Sequence, residues 1–276
     1  MSHAVSVYHG QFCRATLYEL DRPMTTHAHR EGHLIFFLGD SGGCVQVSGQ
    51  SVAITTRNAV AVSPWESHGF IPLAPGRSGL FLVLYVSPAL LQNSKPAPRD
   101  LRFGMPEVIL TPEIERAVDR LTNLLATHRT NENIDSRLLE LTELCRIQSW
   151  WQTADDPARA AAKPEFVDFR VRKSIRLLSD RFADDPDFDG VARESGLSRP
   201  HFYKLFKAQV GVTPSVFLNT LRMERAVALV AAAERSITDI SESLGFSCQS
   251  VFTRFFASHV GVPPSDYRRV ARVLHS

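Results

Sequence analysis

Up to Pro88 the apolar positions alternate with polar ones in short runs, broken by glycine-, proline- and asparagine-bearing turns. The runs are Val5–Val7, Ala15–Glu19, His33–Leu38, Cys44–Val47, Val52–Thr55, Ala59–Val62 and Gly79–Val86. Alternation rich in β-branched and aromatic residues predicts an antiparallel barrel or jelly roll. From Thr111 the period lengthens. Thr111, Pro112 and Glu113 make a helix start; Ile114, Val118, Leu121 and Leu125 form one stripe, and Leu138, Leu141, Leu144, Cys145 and Gln148 another. Two amphipathic helices follow, which either cover the barrel or pair two copies of the chain. Residues 153–165 are alanine-, acid- and proline-rich without a stripe, and read as a linker between a unit spanning 1–152 and one spanning 166–276.

The second unit repeats itself. G-L-S-R-P-H-F-Y-K-L-F from Gly196 returns as G-F-S-C-Q-S-V-F-T-R-F-F from Gly245 with one extra residue. Register is kept by Ser198 and Ser247, Phe202 and Phe252, Phe206 and Phe256, Gly211 and Gly261, and Pro214 and Pro264. An internal repeat this close is one structural unit used twice. Each copy has a short helical run, a glycine suited to a left-handed turn, a capping serine and a second helix. That is a helix-turn-helix, whose second helix can enter a DNA major groove. Phe202, Leu205 and Phe206, like Phe252, Phe255 and Phe256, are spaced as buried stripes. Ser198, Arg199, His201, Tyr203, Lys204 and Lys207 are left outside in the first copy. Ser247, Cys248, Gln249, Ser250, Thr253 and Arg254 are left outside in the second. Such side chains pair with base edges and phosphates.

Between the copies, no glycine or proline interrupts Val216 to Arg235. A helix of about twenty residues spans about 30 Å, close to the roughly 34 Å between successive major grooves. The run R-M-E-R-A-V-A-L-V … S-I-T-D-I-S-E-S-L-G-F-S-C-Q-S-V-F-T-R-F-F … G-V-P-P-S-D-Y-R-R resembles the signature of the AraC/XylS family of bacterial transcription regulators. The resemblance covers about Phe166 to Arg272. It implies a seven-helix DNA-binding unit, a double-stranded DNA operator, RNA polymerase as a partner and a homodimer. Ala257 departs from it, because the position after Phe256 is commonly basic in the family.

The amino-terminal half carries T-H-A-H-R-E-G-H-L-I-F-F-L-G and, later, R-N-A-V-A-V-S-P-W-E-S-H-G-F. These resemble the two cupin motifs and the sensing half of many AraC-type proteins. His27 and His29 share one face of an extended strand. By the resemblance His68 joins them, while His33 stands where cupin enzymes carry a glutamate. Three uses are open for the histidines: contacts to a small-molecule effector, ligands of a divalent metal (His27, His29, His68), or ordinary turn and surface residues. Phe36, Trp65 and Glu66 are the expected pocket neighbours, with Trp65 at the mouth.

Net charge is +2 overall, but residues 164–276 hold 16 Arg/Lys against 13 Asp/Glu, and the remainder 15 against 16. The asymmetry is mild, so base contacts carry a larger share of DNA binding than bulk charge. Four cysteines without CxxC spacing, no signal-like amino terminus and no long apolar run suit a cytoplasmic protein without a membrane segment. The expected fold is α+β in two domains: a cupin-like antiparallel β-barrel with two helices, then an all-α double helix-turn-helix domain. The expected function is effector-controlled, sequence-specific transcription regulation, with activation the expected sign. The alternative is a metal-dependent cupin enzyme or metal sensor fused to a DNA-binding domain.

Overall fold

The computed structural model describes residues 2–11, 13–39, 42–73, 77–88, 102–127, 134–151 and 168–273. The expected linker at 153–165 lies outside them. Strands β1 (His3–His9), β2 (Cys13–Leu20), β3 (Met24–His27), β4 (Gly32–Phe37), β5 (Gly43–Val47), β6 (Gln50–Ile54), β7 (Asn58–Val62), β8 (His68–Pro72), β9 (Gly79–Val86), β10 (Glu107–Ile109) and β11 (Ala271–Val273) form two sheets. The larger runs β10-β7-β4-β9-β2-β1-β11 and the smaller β3-β8-β5-β6. All seven expected strands are present; β3, β8, β10 and β11 are additional. Pairing is antiparallel except at one edge, where β11 lies parallel to β1 with Val7 opposite Ala271.

Helices α1 (Pro112–Thr127) and α2 (Ile134–Trp151) cover the outer face of the large sheet. Leu34, Phe36, Ala59, Leu82 and Leu84 meet Ile114, Leu121, Leu138 and Cys145 there. Within one chain these helices cover the sheet.

Seven helices follow among the described residues: α3 (Phe169–Asp180), α4 (Phe188–Glu194), α5 (Arg199–Val210), α6 (Pro214–Ala232), α7 (Ile237–Ser243), α8 (Gln249–Val260) and α9 (Pro264–Val270). The pairs α4–α5 and α7–α8 are the two helix-turn-helix units. Gly196 and Gly245 turn each with φ of 73° and 76°. At Gly245 a Cβ would also collide with the carbonyl oxygen of Ala183. Helix α6 is the spacer: Thr213 caps it, and its 19 residues reach about 28 Å at 1.5 Å per residue.

The two units do not keep separate cores. The first helix-turn-helix packs largely on itself through Val191, Leu197, Phe202, Phe206 and Phe217, with Ala28 of the barrel joining. The second shares one apolar cluster with the barrel interior, in which Val7, Leu20, Phe70 and Phe81 are continuous with Val230, Ile240, Phe252, Phe256 and Tyr267.

Candidate DNA interface and barrel histidine cluster

The candidate reading faces project from these cores. In α5, Arg199, His201, Lys204 and Lys207 are exposed, as is Ser198, whose hydroxyl is not used in capping although it holds the N-cap position. Arg199 pairs with Asp189 at 2.8 Å, an exposed ion pair that DNA could displace at a cost of about 0–1 kcal/mol. Tyr203 is half-buried, bonded to Ser215 at 3.1 Å and set edge-on to Phe202, so its placement is that of a packing residue. In α8, Ser247, Cys248, Gln249, Ser250 and Arg254 are exposed and Thr253 is partly so. The helix starts one residue later than the repeat suggests, with Cys248 at the N-cap. A hydrogen bond shared with Ser250 lowers the thiol of Cys248 from its ordinary range. Gln249 accepts from the Thr238 hydroxyl at 2.7 Å. Ala257 lines a recess against Ser2, Arg22 and Pro23 of the barrel, where a long basic side chain would meet the β2–β3 turn.

The acidic run that dilutes the charge of this half is used locally. Asp187 caps α4, Asp189 holds Arg199, and Asp185 pairs with Arg222 at 3.0 Å.

The barrel grips the spacer helix and the second helix-turn-helix with the helix that follows it. Trp65 stacks on Phe217 of α6, with ring centres 5.0 Å apart and planes 15° apart. The Thr220 hydroxyl donates to the Ala28 carbonyl at 2.9 Å, and Arg30 pairs with Glu224 at 3.1 Å. The Thr25 hydroxyl donates to the Ser258 carbonyl at 3.1 Å. Tyr267 accepts from Arg14 at 3.1 Å and bonds His9 at 2.8 Å.

Inside the barrel His27, His29, His33 and His68 come together, all buried. His27 on β3 and His68 on β8 are cross-strand partners. Ring centres lie 4.4 Å apart for His27–His68, 4.8 Å for His27–His29 and 5.3 Å for His29–His68. One nitrogen from each of these three lies within 4.8 Å of the others. Burial first, then the neighbouring imidazoles, holds His27, His29 and His33 well below the usual histidine range. Burial lowers His68 to about 4 against a backbone hydrogen bond that raises it. The cluster is therefore neutral near pH 7.

Two expected neighbours stand elsewhere. Phe36 lies three positions along β4 from His33, so strand parity turns it to the opposite face, into the core under α1 and α2. Trp65, at φ 62°, turns outward to Phe217 instead of lining the histidines. Glu66 holds the turn between them: its carboxylate accepts from the Ser63 amide and the Ser48 hydroxyl at 3.0 Å each, and its carbonyl accepts from His68 at 2.9 Å.

The space beside the histidines is only about 40 Å³, enough for a water or an ion. A larger cleft of about 390 Å³ opens next to it, between the barrel and helices α6 and α8. Arg14, Glu31, Tyr85, Met223, Glu224 and His259 are among its walls. Arg14 is buried, with its guanidinium carbon 3.5 Å from the Tyr85 ring centre. The sequence did not single out Arg14, Glu224 or His259, because only the docking of the two units brings them together.

Residues 191–270 match a family described as a helix-turn-helix domain. The HTH-type transcriptional activator RhaS of Escherichia coli is 36% identical over 100 residues, 36% of this chain and 36% of that protein. The match thus spans about a third of the length of the curated relatives. Among solved structures, an apo ToxT variant from Vibrio cholerae aligns with 96% of this chain and 100% of its own, at a TM-score of 0.60 and 16% identity. Wild-type ToxT with a bound unsaturated fatty acid aligns over 95% and 96%, at 0.59 and 15%. At such identities the likeness is one of fold, and it extends over barrel and helical units alike. The curated relatives are named as transcriptional activators. Among the described residues, no helix is long and apolar enough to cross a membrane.

Proposed function

Because its carboxy-terminal region belongs to the AraC/XylS family of helix-turn-helix proteins, we propose that the whole chain is a sequence-specific transcription regulator, with activation as the expected sign. The carrying observation is the pair of exposed, chemically unequal reading faces on α5 and α8, separated by one helix of about groove-to-groove length. The first face is basic, through Arg199, Lys204 and Lys207; the second reads with Gln249, Thr253 and Arg254. An asymmetric half-site follows, each head meeting different bases.

Control comes from the cleft between the units. Its volume falls in the range of small-molecule sites, with apolar walls at Met223 and Val227 and polar groups at Arg14, Glu31 and Glu224. An organic effector there touches barrel, spacer and second reading helix together, so it favours one relative placement of the heads over another. This moves the effector next to the histidine cluster instead of into it. A homodimer and RNA polymerase complete the partners, as the family resemblance implies.

Duplexes selected from a random pool by the full chain supply the operator for the test. Lys204→Ala and Arg254→Ala each weaken binding by roughly 5- to 150-fold, about 1–3 kcal/mol, and whichever side chain meets a base edge also relaxes discrimination at one position. Unchanged affinity in both variants rejects these reading faces.

A further inference from the structure

The internal repeat leaves one mismatch on the two faces that the proposed function does not explain. Phe206 and Phe256 are in register, so Lys207 of α5 is matched by Ala257 of α8. Lys207 is exposed, whereas Ala257 is partly covered. Each lies about two turns past the start of its helix, about 12 Å along the axis. A recognition helix meets base edges with its amino-terminal residues, so a basic side chain two turns on is placed for the phosphate backbone. Backbone contacts of that kind fix register and orientation on the duplex. The first head carries the cation at this position, and the second does not.

The barrel brings one to the same place. Ala257 opens on a recess of about 280 Å³, across which Ser2, Arg22 and Pro23 of the barrel face Arg254, Ala257 and Ser258 of α8. At about 30 Å³ per water, that space holds a phosphate group with several waters. Arg254 and Ala257 are three apart and so neighbours on one helix face. Two guanidinium groups bordering one recess repel each other until an anion joins them, and no acidic side chain is among its described walls. Arg22 has Asp21 at 3.7 Å, a loose pair for a side chain that is 69% exposed. The Asp21 carboxylate is itself engaged by the Ser2 amide at 2.8 Å and the Ser2 hydroxyl at 2.7 Å. Among the described residues Arg254 has no ion pair, whereas Arg199 of the first head is held by Asp189. The β2–β3 turn is also fixed against the head: Thr25 bonds the Ser258 carbonyl at 3.1 Å, and Leu20 and Met24 lie against Gly261.

We propose that Arg22 of the barrel is a DNA-backbone contact of the second reading head, taking with Arg254 the phosphate that Lys207 takes in the first. The inference rests on the proposed function, since it needs α8 to lie on DNA. An arginine fork grips two phosphate oxygens at once, so a residue from the neighbouring unit replaces the missing lysine in kind. The DNA surface of the second head is then composite, built from α8 and the β2–β3 turn, and it is complete only while barrel and head are docked in this way. Docking and DNA binding therefore strengthen each other by the same factor. An effector that shifts the barrel removes a phosphate contact without touching α8.

The test uses the full chain and the duplex that it selects, titrated at several salt concentrations. Arg22→Ala, a truncation at an exposed position, is expected to weaken binding roughly five- to tenfold near 0.1 M salt. The slope of log affinity against log salt should flatten by about one, with discrimination between bases unchanged. Adding Ala257→Lys to that variant, where the lost arginine leaves room, should restore the slope. Parent affinity and slope in Arg22→Ala, beside a weakened Lys204→Ala, overturn the inference and leave the proposed function standing. Tighter binding by Arg22→Ala overturns it as well, because the turn then obstructs the duplex. A slope that stays flat after Ala257→Lys places Arg22 away from the position that the repeat vacates, and overturns the substitution of one for the other. A chain that selects no duplex rejects the proposed function, and this inference with it.

Discussion

At the residue scale, what could be read from the chain is what strand geometry alone dictates. His27 and His29, two apart, fall on one face, and both are in the cluster. The same parity sends Phe36 away from His33. His259 was out of reach, because the barrel residues it faces, His27 among them, are more than 200 positions away and the docking that joins them depends on shape. Glu224 is a similar case. Burial against the barrel pushes its carboxyl up to about 7, against the opposing pull of Arg30, with Glu31 raising it further and Arg14 lowering it. A carboxyl raised in this way favours the folded state most below its ordinary value, near 4.5, and that contribution disappears as pH rises through about 7. Glu224→Gln is therefore expected to melt higher than the parent at pH 8, with the two curves converging by pH 5. Other titrating groups shift both proteins together, so parallel melting curves across that range would contradict the burial of Glu224.

At the element scale, the strands with clean alternation and the repeated helices were legible. β3, β8 and β10 were not. β3 is four residues long with two exposed threonines, β8 ends in a proline, and β10 is a three-residue edge strand; short polar strands are specified by their neighbours instead of by pattern. The glycines of the repeat give a way to measure the docking. Gly196 and Gly261 both have positive φ, 73° and 90°. A Cβ at Gly196 meets nothing within 4 Å, whereas at Gly261 it comes within 2.8 Å of a Leu20 methyl and 3.4 Å of the Met24 sulfur. Gly196→Ala should cost about 1 kcal/mol, the backbone penalty alone. Gly261→Ala should cost measurably more in denaturant titrations, because the barrel must give way too. Equal losses would mean that the turn after α8 is free of the barrel in solution.

At the scale of the whole molecule, the division into two units read from the linker composition is not the division of the apolar cores. The interior of the barrel and the second helix-turn-helix are one apolar cluster, while the first helix-turn-helix keeps its own. Calorimetry should therefore show barrel and second head unfolding in one transition. Leu20→Ala, removing a buried side chain from the shared cluster, should move that transition as a unit by about 2–5 kcal/mol. Two endotherms of which only the earlier shifts would show separate cores. The pairing of β11 with β1 has a further consequence for the released state. In the closed molecule the last strand covers the edge of the large sheet. Swinging the second head away uncovers the stretch Val7–His9 of that edge, whose amides and carbonyls then need partners. The same strand from another molecule can supply them, so release of the reading head and self-association become linked through one row of hydrogen bonds. Under the proposed effector control, protein concentration would then act on the same equilibrium as the ligand.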